Sequence, residues 1–186
     1  MNGKRFSPDD PERRRWQDPD VILTTIGLEP GMVFVDIGCN EGYFALPAAR
    51  IAGSGGKVFG VDISPEAIGH LASRARDEGL TNMVLRVGTA EDAVVCRKCA
   101  DFVFYGIDLH DFRDPAMAIR NAGKMLKPSG LLVDLDWKDE PTPFGPPAEI
   151  RFSIEKATSL IRSIGFHILS VAEAGPYHYL IIAGLR

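Results

Sequence analysis

Residues 32–44, MVFVDIGCNEGYF, constrain this chain more than any other stretch. Residues 32–37 are an apolar run broken only by Asp36, too short for a helix and rich in Val and Ile, which predicts a buried parallel strand. Gly38 stops it. Gly38, Asn40 and Gly42 then occupy alternate positions, and helical spacing of apolar residues resumes from Phe44 to Ile51. The prediction is strand, tight turn, helix. Such a turn presents bare backbone N–H groups and the positive end of a helix at the mouth of a sheet, where glycines let a ligand approach. The dinucleotide spacing G-x-G-x-x-G does not fit, because the third and sixth positions from Gly38 are Asn40 and Tyr43. The pattern D-x-G-x-(G)-x-G fits at Asp36, Gly38 and Gly42, with Asn40 where glycine is usual. Asn enters the left-handed region more readily than most residues.

The alternation continues downstream. Residues 57–62, KVFGVD, predict a second strand ending at Asp62, 20 residues beyond Gly42. An acidic side chain there is placed to accept both ribose hydroxyls of an adenosine, while Ser64, ahead of Pro65 and Glu66, is the better helix cap. Ile68, Leu71, Ala72 and Ala75 mark the buried face of the next helix, which ends at Gly79, and residues 82–87 predict a third strand. Residues 100–105 predict a fourth, Asp114-Pro115 opens a helix through Met125, and Lys127-Pro128-Ser129-Gly130 turns into a fifth strand over 131–137. A Pro-rich loop at 140–147 precedes a helix expected over about 148–163. Residues 166–172 and 177–185 read as strands whose connection is too short for a helical crossover, so they predict an antiparallel hairpin. A β/α alternation closed by a hairpin is a mostly parallel sheet carrying one reversed strand. Ahead of it, Asp18-Pro19-Asp20 caps a short helix ending at Gly27, and residues 1–17 read as an extended amino-terminal arm on a single domain over 18–186.

Charge and composition restrict the partners. A net charge of -4 on 186 residues, without a long basic run, argues against a nucleic-acid footprint. Lys4, Arg5 and Arg13 to Arg15 form the basic cluster, which Asp9, Asp10, Glu12 and Asp18 interrupt, and it reads as a solvated amino-terminal face. No apolar run approaches the roughly 20 residues of a bilayer span, and no signal-peptide core opens the chain, so the cytoplasm is the expected location. A homodimer is left open. Cys39, Cys96 and Cys99 fit reduced thiols. Cys96-Arg97-Lys98-Cys99 lacks a second ligand pair for zinc and precedes a strand rather than opening a helix, so its cysteines are expected to be incidental and no metal is expected.

VDIGCNEGYF, VFGVDISPEAI, VGTAEDA, DFVFYGIDLHDFRDP, LKPSGLLVDLDW and a late loop containing GPP follow one another in order and spacing. Together they resemble the class I S-adenosylmethionine (SAM) dependent methyltransferases over about residues 18–186, and within them the subgroup similar to ubiquinone/menaquinone-biosynthesis enzymes. The resemblance implies a Rossmann-like α/β three-layer sandwich, with a seven-stranded, mostly parallel sheet and an antiparallel last strand. It implies SAM as cofactor and S-adenosylhomocysteine as product. Gly38, Cys39 and Gly42 are then expected against the methionine part, with Asp36 orienting the turn and Asn40 and Phe44 completing it. Asp62 is expected on the ribose, Ile63 on the adenine, and Thr89, Ala90 and Glu91 at the adenine edge, where Thr89 replaces a frequent acidic residue. Tyr105 and Gly106 are expected to face the sulfonium.

The subgroup's L-H-H-x-x-D appears here as Leu109-His110-Asp111-Phe112-Arg113-Asp114, and the N/D-P-P-Y/F motif of nucleic-acid base methyltransferases is absent, which implies a small-molecule acceptor. Asp108, His110 and Asp136, with Tyr105, are the candidate catalytic residues at the tips of the fourth and fifth strands. His110 is the candidate base because its ordinary pKa lies near neutrality. Two other readings stay open: a SAM-binding regulatory module without turnover, and a nicotinamide-dependent oxidoreductase, which the glycine spacing and closing hairpin disfavour.

Overall fold

The structure is a computed structural model of the chain and describes residues 11–185. Two short helices, α1 (Pro11–Trp16) and α2 (Pro19–Thr25), lead into β1 (Val33–Ile37), α3 (Ala45–Ala52), β2 (Lys57–Asp62), α4 (Pro65–Asp77) and β3 (Met83–Val87). There follow β4 (Ala100–Gly106), α5 (Pro115–Met125), β5 (Leu126–Trp137), α6 (Ile154–Ser163) and the hairpin β6 (Phe166–Ala174) with β7 (His178–Leu185). The strands form one sheet in the order β3-β2-β1-β4-β5-β7-β6. β1 to β5 are parallel, and β7 runs antiparallel between β5 and β6. The expected seven-stranded, mostly parallel sheet with a reversed last strand is therefore what the chain forms.

Period-two alternation divides the core between the two faces. Val35, Ile37, Val103, Tyr105 and Leu132 pack with Ile119 of α5 and Ile161 of α6. Phe34, Val58, Phe102, Phe104 and Val133 pack on the other face with Leu46 of α3 and Leu71 of α4. Local chemistry sets where helices begin. Asp18, Ser64, Asp114 and Ser153 each accept a hydrogen bond from a first-turn N–H, and in the first three a proline occupies the first turn. Each such cap contributes about 1 kcal/mol.

β1 is the point where the strand order reverses, with β2 and β3 to one side and β4 onward to the other. Helix-bearing connections leave on opposite faces there, so a crevice opens at the carboxyl ends of β1 and β4.

Four expectations need correction. In the arm, residues 11–16 are helical, and Trp16 is buried with its ring stacked on His178 at 5.4 Å and close to Trp137, Phe144 and Tyr177; residues 1–10 lie outside the described residues. Aromatic partners supplied by the far end of the chain outweigh the charged local pattern. The expected turn at 127–130 is part of β5, which starts at Leu126 and contains an irregularity in its pairing with β4. The helix expected from about 148 is a 3₁₀ turn, Ala148–Ile150, followed by α6. Arg151 separates the two: its guanidinium donates to the carbonyls of Lys138, Glu140 and Pro146, tying the Pro-rich loop down. Finally, Cys96 and Cys99 are joined in a disulfide, with Cα atoms 6.0 Å apart. Lys98 takes a left-handed conformation, φ 49°, which folds the four-residue turn back on itself. That geometry is invisible in the spacing alone.

Candidate active site

The strand–turn–helix at residues 33–52 holds the predicted left-handed positions. Gly38 has φ 77° and Asn40 φ 46°. The turn opens onto a cleft of about 810 Å³, inside the usual range for a small-molecule site. β1 and its turn line it with Asp36, Gly38, Cys39, Asn40 and Phe44; β2 adds Val61, Asp62 and Ile63; the loop after β3 adds Gly88, Thr89, Ala90, Glu91 and Asp92. The tip of β4 closes it with Gly106, Ile107 and Asp108, and the segment beyond adds Asp111, Phe112 and Arg113.

Asp62 is held in place by backbone. Its Oδ2 accepts the Asn40 N–H at 2.8 Å and its Oδ1 accepts the Ser64 N–H at 2.9 Å. A carboxylate has about four acceptor sites, so each oxygen retains capacity for one hydroxyl of a diol. Ile63 beside it is 71% exposed, an apolar surface awaiting a flat partner. Elsewhere along the cleft the Thr89 hydroxyl donates to Asp92 at 3.0 Å, so a carboxylate stands beside Thr89 on the lining. Glu91 borders the cleft, but its carboxylate accepts the Asp114 N–H at 3.0 Å and its carbonyl accepts Asn121, so it joins this loop to α5. Asp36 is buried and accepts a backbone hydrogen bond from Ala45; burial first, and then the charge of Asp62, push its pKa up to about 8. These features fit SAM. A diol acceptor, an apolar face, an acidic edge and buried carboxyls suit a ligand with ribose, adenine and positive charge.

Several predicted residues lie elsewhere. Gly42 does not line the cleft: at φ 91°, a Cβ there would come within 2.3 Å of Leu71, so this glycine packs α3 against α4. Tyr105 points to the face opposite to Phe104, is wholly buried, and donates its hydroxyl to the Ala118 carbonyl at 2.8 Å. It is a core residue of the α5 side. Asp136 and His110 form a buried pair behind the cleft wall, with Nδ1 2.8 Å from Oδ1 and 2.9 Å from Oδ2. A carboxylate that also takes the Trp137 N–H can only accept, so Nδ1 carries the hydrogen. His110 Nε2 makes no hydrogen bond among the described residues and lies 3.5 Å from the exposed Asp111, which lines the cleft where His110 does not. Burial lowers the His110 pKa, but the hydrogen bond and charge of Asp136 with the charge of Asp111 outweigh it and leave it raised.

The structure adds residues that the pattern did not single out. Arg13 lines the cleft and lies 3.5 Å over the Tyr43 ring, whose hydroxyl donates to the Gln17 carbonyl. Only its neighbours in space separate this arginine from an ordinary solvated charge. Asp92, Phe112 and Arg113 likewise carry no spacing signal. Among the described residues no cluster of three or more His, Cys, Asp or Glu side chains suits a metal ion, and no helix is long and apolar enough to cross a membrane.

A family model described as a methyltransferase domain matches residues 28–165. Among curated proteins, nocamycin O-methyltransferase of Saccharothrix syringae is 33% identical over 112 residues, 60% of this chain and 40% of that protein. Demethylmenaquinone methyltransferase of Bacillus subtilis (strain 168) is 22% identical over 134 residues, 72% of this chain and 56% of that protein. The chain thus spans about half the length of the curated relatives it matches. Among solved structures, a SAM-dependent methyltransferase from Aquifex aeolicus superposes with a TM-score of 0.90 at 26% identity, covering 98% of this chain and all (100%) of that one. The [4+2]-cyclase SpnF superposes at 0.78 with 19% identity, over 100% of this chain and 84% of that one, a likeness of fold alone.

Proposed function

The chain belongs to the methyltransferase-domain family, and on that premise we propose that it transfers a methyl group from SAM to a small-molecule acceptor. The observation that carries this reading is Asp62, oriented by two backbone N–H groups at the end of the cleft with free acceptor capacity for a ribose diol. SAM, when bound, supplies a methyl group activated by a sulfonium. The protein's own part is to hold the reacting groups together, and proximity alone accounts for roughly 7–11 kcal/mol of such a barrier. Asp62 and Ile63 would hold the adenosine, Thr89 and Asp92 its far edge, and Gly38, Cys39 and Phe44 the methionine side. The acceptor would enter between Asp108, Asp111 and Phe112. The His110–Asp136 pair, 3.5 Å from cleft-lining Asp111, would take the acceptor's proton. A small-molecule acceptor is favoured by the relatives named for nocamycin and demethylmenaquinone and by the missing N/D-P-P-Y/F motif.

Calorimetry on Asp62→Ala tests the cofactor assignment. Two charge-assisted hydrogen bonds of about 1.5–3 kcal/mol each are lost, so SAM affinity should fall at least tenfold while the fold survives. Unchanged affinity would sink the assignment. Incubation of cell extract with methyl-labelled SAM then tests the acceptor class. Label is expected in small metabolites with accumulation of S-adenosylhomocysteine; label confined to macromolecules would overturn it.

A further inference from the structure

Asp108 is a buried carboxyl in the cleft whose two oxygens both lack a hydrogen-bond partner among the described residues. Its position is built, not incidental. The preceding Ile107 adopts φ 68°, a left-handed conformation rare for a β-branched residue, and its N–H is anchored on the Leu135 carbonyl at 2.6 Å. That turn lays the carboxyl directly over the glycine turn of β1: a Cβ on Gly38 would lie 1.6 Å from Oδ2. The acidic groups that act on it are Asp36 of β1, Asp62 at the end of β2, and Asp136 and Asp134 of β5. Cys39 and Tyr105, both neutral, adjoin it, and Arg13 of α1 lines the same cleft and acts on Asp36. Burial first, and then these acidic neighbours, shift the Asp108 pKa well above its ordinary value, toward the neutral form.

We propose that Asp108 is the residue by which the cleft distinguishes SAM from S-adenosylhomocysteine. The inference rests on the reading of the cleft as the SAM site. The two ligands share every group that Asp62, Ile63 and the adenine edge recognise, and they differ by one methyl group and one positive charge. A carboxyl without a partner in a low-dielectric site responds to that charge. Entry of the sulfonium favours the carboxylate, and the Asp108 proton passes to solvent. When the methyl group leaves, the C–S bonding pair stays on sulfur as a neutral thioether. Asp108 then faces no counter-charge, takes a proton back from solvent, and the product is held less tightly than the substrate. The site thereby gains affinity for SAM as pH rises, with no matching gain for the product.

Titration calorimetry of the full chain at neutral pH, in two buffers of different ionisation enthalpy, reads the protons released by each ligand. SAM should release roughly half to one proton more than S-adenosylhomocysteine, following the linkage between ionisation and binding. In Asp108→Asn, which keeps the side-chain shape, that difference should vanish, SAM should weaken about tenfold, and S-adenosylhomocysteine should change less than twofold. Equal proton release by the two ligands in the wild type overturns the inference, as does a variant that weakens both equally. If Asp108→Asn does not fold, Asp36→Asn supplies the comparison, because Asp36 is the other buried carboxyl lining the cleft: the difference in proton release should persist in it, and its loss there overturns the inference. If the wild type binds neither ligand, the cofactor reading falls first and takes this inference with it, an outcome distinct from binding without discrimination.

Discussion

At the scale of single residues, the site depends on side chains whose neighbours change their chemistry. His110 is the clearest case. An isolated histidine titrates near 6.5, but this one is clamped by Asp136 and faces Asp111, and its pKa is raised despite burial. If it accepts a proton during methyl transfer, it must be neutral beforehand, so turnover should rise with pH through a midpoint above 6.5. His110→Ala should remove that rising limb and cut turnover roughly 10²–10⁴-fold for an acceptor that carries its proton, with SAM affinity within about threefold. Unchanged turnover and an unchanged pH profile would leave the pair a purely structural tie between the turn at Leu109–Asp111 and β5.

At the scale of elements, the loop from β3 to β4 does two things at opposite ends. Its first half lines the cleft through Thr89, Ala90 and Asp92, and its second half is closed by the Cys96–Cys99 disulfide, pinned to the end of α5 by the Lys98 and Cys99 N–H groups. Closing so short a loop constrains the unfolded chain by about 2 kcal/mol, equivalent to roughly 4–8 °C in melting temperature for a chain of this size. Reductant should therefore lower the melting temperature of the wild type by that amount and leave a Cys96→Ser/Cys99→Ser double variant unmoved. SAM affinity should stay within twofold in both, because the bridge stands at the amino-terminal end of β4 and the cleft at its carboxyl end. Identical melting of the wild type with and without reductant would show that the pair carries no stability.

At the scale of the whole molecule, stability is drawn down from two sides by buried titratable groups. His178 is buried, with no hydrogen-bond partner on either ring nitrogen among the described residues, and burial pushes its pKa down to about 3. The unfolded chain binds a proton there that the folded chain refuses, so stability falls as pH drops from about 6.5 toward 3. Asp36 acts in the opposite sense. Its pKa of about 8 in the fold against 3.8 in the unfolded chain means that, between these values, only the folded form keeps the proton, and stability falls as pH rises. Asp36→Asn retains an acceptor for the Ala45 N–H and removes the titration. Its melting temperature relative to the wild type should climb between pH 4 and pH 8 and flatten above; a constant offset across that range would contradict the assignment.

The features legible from the chain alone are those set by forces acting over a few residues. Period-two and helical spacing placed the strands and helices, Asp-Pro and Ser-Pro pairs placed the caps, a four-residue connection forced the antiparallel hairpin, and the acid ending β2 reached the cleft. Family resemblance then named the cleft's cofactor. Alternation, however, says that Phe104 and Tyr105 face opposite ways without saying which face a helix will cover. Only the sheet order, which sets α5 over Tyr105, removed that residue from the site. The helix carrying Trp16, the turn that closes the disulfide, the tie that Glu91 makes to α5 and the unpartnered carboxyl of Asp108 were equally unreadable. Each depends on groups brought from distant parts of the chain, and burial, charge and hydrogen-bond supply are sums over those neighbours. Local spacing determines where a side chain stands along its element; the packed structure decides what surrounds it, and with that its ionisation and its chemistry.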